Sequence, residues 1–235
     1  MKALVLIKKN IPLVYRTLVD IRNYLYKFSR RSFSQFGEDL VLFNFIDRNS
    51  LGFYVDIGAF HPYKFSNTYF FYRRGWRGLN IDARPGSMKI FDKKRKRDIN
   101  LEIGIADNEK QSIFYVFEDY AYNTFSKKIA DNWQEKGNKL KKIIQVKTEK
   151  LAKILDEYLP QGTKISFMSI DVEGLDLVVL QSNDWSRYCP TCVLVEAHDF
   201  DFKNIGQSEI YNFLTAKGYR LVSIIYITLI FKLND

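Results

Sequence analysis

The stretch Phe53-Tyr-Val-Asp-Ile-Gly-Ala-Phe60 has the pattern of a short buried strand that ends in an acid and then a glycine. Val55 and Ile57 supply the β-branched side chains typical of strands. Gly58, which follows the acid Asp56 by two positions, allows the sharp turn that is needed where a ligand approaches the backbone. In an open α/β sheet, ligands bind beyond the carboxyl ends of the strands. This stretch therefore predicts the edge of a binding site.

Three further stretches repeat the pattern of an apolar strand followed by an acid. Residues 78–82 end in Asp82, residues 164–174 carry Asp171 and Glu173 at their end, and residues 192–199 carry Glu196, His198 and Asp199. A carboxylate at the tip of the second strand is the usual partner of ribose hydroxyls, so Asp82 predicts a nucleoside. Because charges rarely stay inside a strand, we expect the four sets of acids at one open edge of a sheet.

The glycine pattern indicates which nucleoside binds. A dinucleotide site requires G-x-G-x-x-G, so that a pyrophosphate can sit on a helix N-terminus. Here Gly58 stands alone and bulky residues follow it, and the lysine motif of a phosphate-binding loop is missing. S-adenosylmethionine has a ribose and a charged amino-acid tail but no phosphate, so it fits this pattern better.

Six short motifs resemble those of the FkbM-type S-adenosylmethionine-dependent methyltransferases. They are Ser34-Gln-Phe-Gly-Glu-Asp39, Val55-Asp-Ile-Gly58, Ser66-Asn-Thr68, Gly75-Trp-Arg-Gly78, Ile170-Asp-Val-Glu-Gly174 and Leu194-Val-Glu196. The resemblance implies an α/β fold of the class I methyltransferase (Rossmann-like) type, with a mainly parallel seven-stranded sheet and helices on both faces. It also implies O-methylation of a hydroxyl on a sugar, a glycan or a related metabolite.

The expected cofactor contacts combine the strand tips with positions that the resemblance implies. They are Gln35, Glu38, Asp56, Gly58, Asp82, Asp107 and Asp171. Asp107 follows the predicted third strand, residues 100–105, and corresponds to the family loop that approaches adenine. Residues 124–142, which are rich in lysine, are expected to cover the acceptor site.

A hydroxyl acceptor must lose its proton during methyl transfer, so a positioned base is useful. His198 is the first choice because histidine titrates in the useful range, and the alternative is a structural loop histidine. Asp171 and Glu173 could bind the amino group of the cofactor, act as the base, or cap the following helix. Asp171 and Glu196 could also hold a divalent cation such as Mg²⁺, which prefers oxygen ligands.

Length and composition fit one α/β domain, residues 34–235, preceded by a short segment. The chain of 235 residues has 46% hydrophobic residues and a formal net charge of +9, which favours anionic partners. The cationic run at residues 93–97 is expected on the solvated end of a helix, so nucleic acid is disfavoured as a partner. A nucleic-acid methyltransferase and an inert binding adaptor remain alternative functions.

Residues 1–33 form a basic amphipathic segment with apolar residues at helical spacing. Residues 1–31 are expected either to lie on an anionic membrane or to pack on this domain or a partner subunit. The segment lacks the features of a signal peptide, and no stretch is long enough to span a membrane. The two cysteines, Cys189 and Cys192, are too few for a zinc site and suggest a reducing compartment. These features predict a cytoplasmic protein, with possible peripheral contact at the inner face of the membrane.

Overall fold

The computed structural model describes residues 11–25, 30–107, 110–198 and 200–234. The chain divides into two compact units, Met1–Arg31 and Ser32–Asp235. In the first unit, helix α1 spans Pro12–Leu25. The rest of the predicted basic segment lies largely outside the described residues, so the basic helix and a domain boundary at residue 33 stay predictions. No described helix combines the length and apolar character that crossing a bilayer requires.

The second unit contains a central sheet of seven strands and a smaller sheet of three. In chain order the strands are β1 Phe53–Ile57, β2 Arg77–Asp82, β3 Ile99–Glu102, β4 Gly104–Ile105, β5 Lys110–Phe117, β6 Leu140–Glu149, β7 Ile165–Ile170, β8 Cys192–Glu196, β9 Tyr219–Ile225 and β10 Thr228–Leu233. The central sheet has the order β3-β2-β1-β7-β8-β10-β9. Strand β10 runs opposite to the other six strands, so its pairings with β8 and β9 are antiparallel and the remaining pairings are parallel. The predicted mainly parallel seven-stranded sheet is confirmed.

Short helices connect these strands. They are α2 Glu38–Leu42, α3 Tyr69–Tyr72, α4 Met88–Lys94, α5 Lys127–Glu135, α6 Leu151–Tyr158, α7 Asp176–Gln181 and α8 Glu209–Ala216, with single 3₁₀ turns at Tyr120–Tyr122 and Ile205–Gln207. An α/β order of this kind produces parallel neighbours because each crossover returns the chain to the same edge of the sheet.

The central sheet separates two apolar cores, since successive strand residues point to opposite faces. In β8, Val193 and Val195 contribute to the core that α6, α7 and α8 cover. Cys192 and Leu194 contribute to the other core, together with Leu42 and the aromatic side chains that surround α3. The strand tips are thus held rigidly from both sides. Both cysteines are free thiols.

The smaller sheet has the order β4-β6-β5. The sequence predicts one third strand over residues 100–105, but this segment serves both sheets. Its first part, β3, pairs with β2 in the central sheet, and β4 pairs with the end of β6. The central-sheet strand therefore ends at Glu102, three residues earlier than the sequence predicts.

Candidate active site

A cleft opens where the winding of the central sheet reverses. From β1 the chain moves outward to β2 and β3, and it returns on the other side of β1 as β7. Such a switch point is the expected ligand site of an open α/β sheet. The cleft has a volume of about 420 Å³ at the carboxyl ends of the strands. Of the residues predicted from the sequence, the cleft is lined by Gln35, Asp56, Gly58, Asp82, Asp171, Glu173, Glu196 and His198.

Gly58 holds the three central strand tips together. Its N–H donates to the carbonyl of Ile81 at 2.9 Å, and Asp171 N–H donates to the carbonyl of Ile57 at 3.0 Å. Its φ is +85°, and a Cβ added there would lie 1.7 Å from the carbonyl oxygen of Asp171. Only glycine fits this position, because both the backbone conformation and the neighbouring strand exclude a side chain.

Asp56 is held at the tip of β1 by a buried network. Its Oδ2 accepts a hydrogen bond from Thr68 Oγ1 at 2.8 Å. Burial raises the pKa of Asp56 from 3.8 to about 6, although this hydrogen bond and the charge of Arg95 oppose the shift. Thr68 Oγ1 in turn accepts from Arg95 Nη2 at 2.6 Å. Burial therefore disfavours the ionised form of Asp56, and the network partly offsets this effect.

Arg95 is the centre of this network and is fully buried. It donates to the carbonyl of Pro62 at 2.9 Å and to the Tyr54 hydroxyl at 3.1 Å, and it pairs with Asp98 at 3.7 Å. The prediction of a solvated charge run at residues 93–97 is therefore wrong at this position. The motif Ser66-Asn-Thr68 supplies two acceptors of this network, but these were not connected with Arg95 from the sequence.

Asp82 ends β2 beside the cleft. Its Oδ1 accepts from the backbone N–H of Arg84 at 2.9 Å, and the Arg84 side chain approaches the same oxygen to 3.8 Å. Burial raises the pKa of Asp82. The Arg84 guanidinium also lies 4.4 Å from the ring centre of Tyr120. Asp82 thus presents a fixed carboxylate at the position where a ribose is expected.

Two predicted cofactor contacts, Glu38 and Asp107, do not line the cleft. Glu38 is buried and its carboxylate accepts from the backbone N–H of Phe36 at 2.9 Å, so it stabilises the start of α2. Asp107 is exposed because the chain has already passed into the smaller sheet. From this segment, the cleft is lined by Ile103, Gly104 and Ile105. The segment therefore presents an apolar surface to the cleft where the sequence predicts the carboxylate of Asp107.

Four carboxylates meet beyond β7 and β8, those of Asp171, Glu173, Asp176 and Glu196. Burial, followed by the charges of Glu196 and Glu173, raises the pKa of Asp171 well above its usual value. Burial and the neighbouring Glu196 raise the pKa of Glu173 from 4.5 to about 8. Like charges that share one site resist ionisation together. We call these four residues the acid cluster.

Asp176 was missed by sequence reasoning. Its carboxylate accepts from the backbone N–H groups of Val172 at 3.4 Å and of Gly174 at 3.1 Å. It therefore closes the loop before α7, the structural role that the sequence offered as an alternative for Asp171 and Glu173. Burial raises its pKa from 3.8 to about 7. Its position at the first residue of a helix was the available signal.

His198 lies beside the acid cluster. Its Nε2 is 3.3 Å from Glu196 Oε2, and about half of the imidazole is exposed to solvent. The hydrogen bond to Glu196 raises the pKa of His198 above its usual 6.5, and burial opposes the shift. The pair joins a group that can accept a proton to a carboxylate that orients it. Asp199, which follows, lies outside the described residues.

The acid cluster does not have the geometry of a metal centre. Across the described part of the chain, no three His, Cys, Asp or Glu side chains are arranged so that they could hold a metal ion. The prediction of Mg²⁺ at Asp171 and Glu196 is therefore not supported.

The segment between β5 and β6 covers one side of the cleft with aromatic side chains. Tyr120, Tyr122 and Trp133 line it, and the rings of Tyr122 and Trp133 lie 4.9 Å apart. Thr124 Oγ1 donates to the carbonyl of Glu173 at 3.3 Å, which ties this segment to the loop after β7. The cleft therefore has an acidic floor and an aromatic wall.

Two solved structures are similar to this chain. The methyltransferase FkbM structure from Methylobacillus flagellatus KT has 12% identity and a TM-score of 0.44, and the match covers 77% of this chain and 43% of that one. The precorrin-6y C5,15-methyltransferase from Geobacter metallireducens GS-15 has 11% identity and a TM-score of 0.44, with coverages of 83% and 88%. This chain thus spans less than half the length of the Methylobacillus protein.

Among curated proteins, no match is found. The family model of the methyltransferase FkbM domain matches residues 56–221, which contain the acidic residues of the cleft and His198. The resemblance predicted from the sequence motifs is confirmed: the chain belongs to the FkbM methyltransferase domain family.

Proposed function

We propose that this protein is an S-adenosylmethionine-dependent O-methyltransferase that acts on a hydroxyl of a sugar, a glycan or a related metabolite. One observation carries the proposal: the acid cluster and the His198–Glu196 pair meet in a single cleft at the switch point of the sheet. Such a cleft favours a cationic ligand and offers a base to a neutral hydroxyl beside it.

The residues of the cleft fit S-adenosylmethionine. Burial raises the pKa values of Asp56 and Glu173, so a cationic ligand in the cleft would favour their ionised forms. The cofactor carries one positive charge on sulfur and another on its amino group. Asp82 would hold the ribose hydroxyls, and Ile103 and Ile105 offer an apolar surface for adenine. Asp171 and Glu173 would hold the amino group. Five of the seven predicted cofactor contacts line the cleft and are available for these assignments.

When bound, the cofactor supplies a methyl group on a cationic sulfur, so that the new oxygen–carbon bond forms as the carbon–sulfur bond breaks and its electron pair stays on sulfur. The chain must hold the acceptor oxygen in line and remove its proton. We assign the proton to Nε2 of His198, which Glu196 orients and makes more basic. Asp171 and Glu173 are the alternative bases, since burial and neighbouring carboxylates raise the pKa of both side chains above the usual carboxylate range.

The charge of the cleft disfavours a nucleic-acid acceptor. Although the whole chain has a net charge of +9, the acceptor end of the cleft presents Glu173 and Glu196. A phosphate backbone would be repelled there, whereas a neutral hydroxyl would be able to donate to either carboxylate. A sugar hydroxyl therefore suits the site better than RNA or DNA.

The test is methyl transfer from S-adenosylmethionine with a labelled methyl group to fractions of cell glycans, lipids, small metabolites and RNA. We expect label in the glycan or metabolite fraction, in an ether linkage that mild alkali does not cleave. Label in RNA alone would refute the proposal in favour of a nucleic-acid methyltransferase. Cofactor binding by calorimetry with no label in any fraction would point to the inert adaptor.

A further inference from the structure

An exposed pair of aromatic rings belongs to the same unit as the cleft. The ring centres of Phe36 and Tyr226 lie 4.7 Å apart, at an interplanar angle of 47°. Phe36 is 45% exposed and Tyr226 is 74% exposed. Aromatic side chains gain most when both faces are covered. The pair therefore offers two tilted ring faces, a shallow apolar surface that the described protein leaves open.

The pair lies at the acceptor end of the cleft. Tyr226 is in the turn between β9 and β10, and the next residue, Ile227, lines the cleft and accepts from the backbone N–H of Ala197 at 3.0 Å. In the sheet register, Thr228 stands opposite Glu196. On the other side, Phe36 follows Gln35, which also lines the cleft. The aromatic pair is therefore beside the strand end that carries Glu196 and His198.

The turn between β9 and β10 requires a left-handed backbone at Tyr226, a conformation that a tyrosine adopts only at a cost. Its φ is +54°, in the left-handed region that tight hairpin turns normally fill with glycine or asparagine. Two other described residues that are not glycine have positive φ, Phe65 and Glu173, and both line the cleft. Strain of this kind concentrates at functional sites. The use of a bulky tyrosine here indicates that its ring has a function at the cleft mouth.

We propose that Phe36 and Tyr226 form the platform on which a sugar ring of the acceptor packs, an inference that rests on the proposed function. A sugar ring has two kinds of surface: an apolar face of C–H groups and an edge of hydroxyl groups. The aromatic pair matches the first, and the carboxylates of Glu173 and Glu196 match the second, because a hydroxyl donates to a carboxylate. Both surfaces are present at one end of one cleft. The acceptor class is therefore a neutral sugar ring rather than a phosphorylated one.

The variant Tyr226→Gly separates this role from folding, because glycine relieves the positive φ while it removes the ring. The probes are the methyl glycosides of glucose, galactose, mannose and rhamnose, measured by saturation-transfer NMR in the presence of S-adenosylhomocysteine. We expect at least one glycoside to receive saturation at its C–H protons, and Tyr226→Gly to weaken its affinity roughly five- to tenfold. The melting temperature should not fall, and S-adenosylhomocysteine binding should not change.

The matched control is Leu51→Ala. Leu51 is 73% exposed and lies directly before Gly52 and β1, at the opposite end of the strands. This variant should bind the glycoside as the wild type does. Binding of no glycoside by the wild type, full affinity in Tyr226→Gly, or an equal loss in Leu51→Ala would each overturn the platform. Failure of the wild type to bind S-adenosylhomocysteine would instead refute the proposed function, so the two failures are distinguishable.

Discussion

Replacing Gly58 with alanine tests whether the contact between β1 and β7 builds the cleft. The change adds one methyl group at a position where φ is +85°. The added Cβ would lie only 1.7 Å from the carbonyl oxygen of Asp171. Ordinary contact begins near 3.4 Å, so the strand tips would have to separate by about 1.7 Å. The hydrogen bond from Asp171 N–H to Ile57 is 3.0 Å long and would not survive this displacement.

The expected loss of stability has two parts. The positive φ costs an alanine about 1–2 kcal/mol, and reduced freedom of the unfolded chain returns about 0.4–1 kcal/mol. Leaving the N–H of Asp171 and the carbonyl of Ile57 without partners costs about 1–3 kcal/mol for each group. The net backbone part is about 1 kcal/mol and the two unpaired groups cost about 2–6 kcal/mol together, so the sum is about 3–7 kcal/mol. This is a large part of the roughly 5–15 kcal/mol that holds an average domain folded.

Gly86→Ala is the matched control. Gly86 has the same φ of +85°, but no atom lies within 4 Å of its added Cβ. It should therefore lose only the backbone part, about 1 kcal/mol. Urea denaturation measures both variants: with a slope of about 2 kcal/mol per M, the midpoint of Gly58→Ala should fall by at least about 1.5 M and that of Gly86→Ala by about 0.5 M.

Cofactor binding gives a second measurement on the same variants. Gly58→Ala should bind S-adenosylmethionine much more weakly, because separating the tips of β1 and β7 also separates Asp56 from Asp171. If the two variants unfold within about 1 kcal/mol of each other, the steric reasoning is wrong. Unchanged cofactor binding by a folded Gly58→Ala protein would show that the cofactor lies elsewhere.

Four further predictions use simpler readouts. Asp82→Ala should weaken S-adenosylmethionine binding in calorimetry by about 1.5–3 kcal/mol, the value of a charge-assisted hydrogen bond; an unchanged Kd contradicts the ribose assignment. His198→Ala should lower kcat by about 10²–10⁴-fold with Kd unchanged, and wild-type kcat should rise with pH through a pKa above 6.5, because the base must be neutral; full turnover in the variant moves the base to another residue. Arg95→Met should cost about 3–5 kcal/mol of stability, since it leaves a buried carboxylate unpaired, whereas the exposed Lys93→Met should be neutral; equal effects refute the network. Deleting residues 1–31 should reduce cosedimentation with anionic liposomes and spare cofactor binding; equal sedimentation removes the membrane proposal.

The strand tips were the part of the site that the sequence could predict. Asp56, Asp82, Asp171 and Glu196 are far apart in the chain, yet one rule brings them together: parallel strands end at one edge of a sheet. An apolar run that ends in an acid is visible in the sequence. The rule needs no knowledge of side-chain contacts, so it identified the floor of the cleft correctly.

Other positions depend on contacts that a short motif does not encode. Glu38 was predicted from its motif and Asp107 from its place after the third strand, and neither residue lines the cleft. Glu38 accepts from a backbone N–H of its own turn, and the segment before Asp107 pairs in the smaller sheet. Arg95 was hidden because its neighbours in the chain are exposed cations, while its partners, Pro62 and Thr68, come from another loop. The composition of a charged run predicts that most of its side chains are exposed. Whether one of them, such as Arg95, is buried depends on tertiary contacts that the run itself does not encode.

Under the proposed function, the electrostatics of the cleft explain why a histidine stands beside the acid cluster. Before methyl transfer, the positive charge of a bound sulfonium would stabilise the carboxylates of the acid cluster as ions. Transfer removes that charge, and without compensation the cluster would again be a set of repelling buried carboxylates. The proton taken up by His198 restores one positive charge 3.3 Å from Glu196. The net charge of the cleft is therefore the same on both sides of the reaction, and the hydrogen bond that raises the pKa of His198 favours this transfer of charge from sulfur to imidazole.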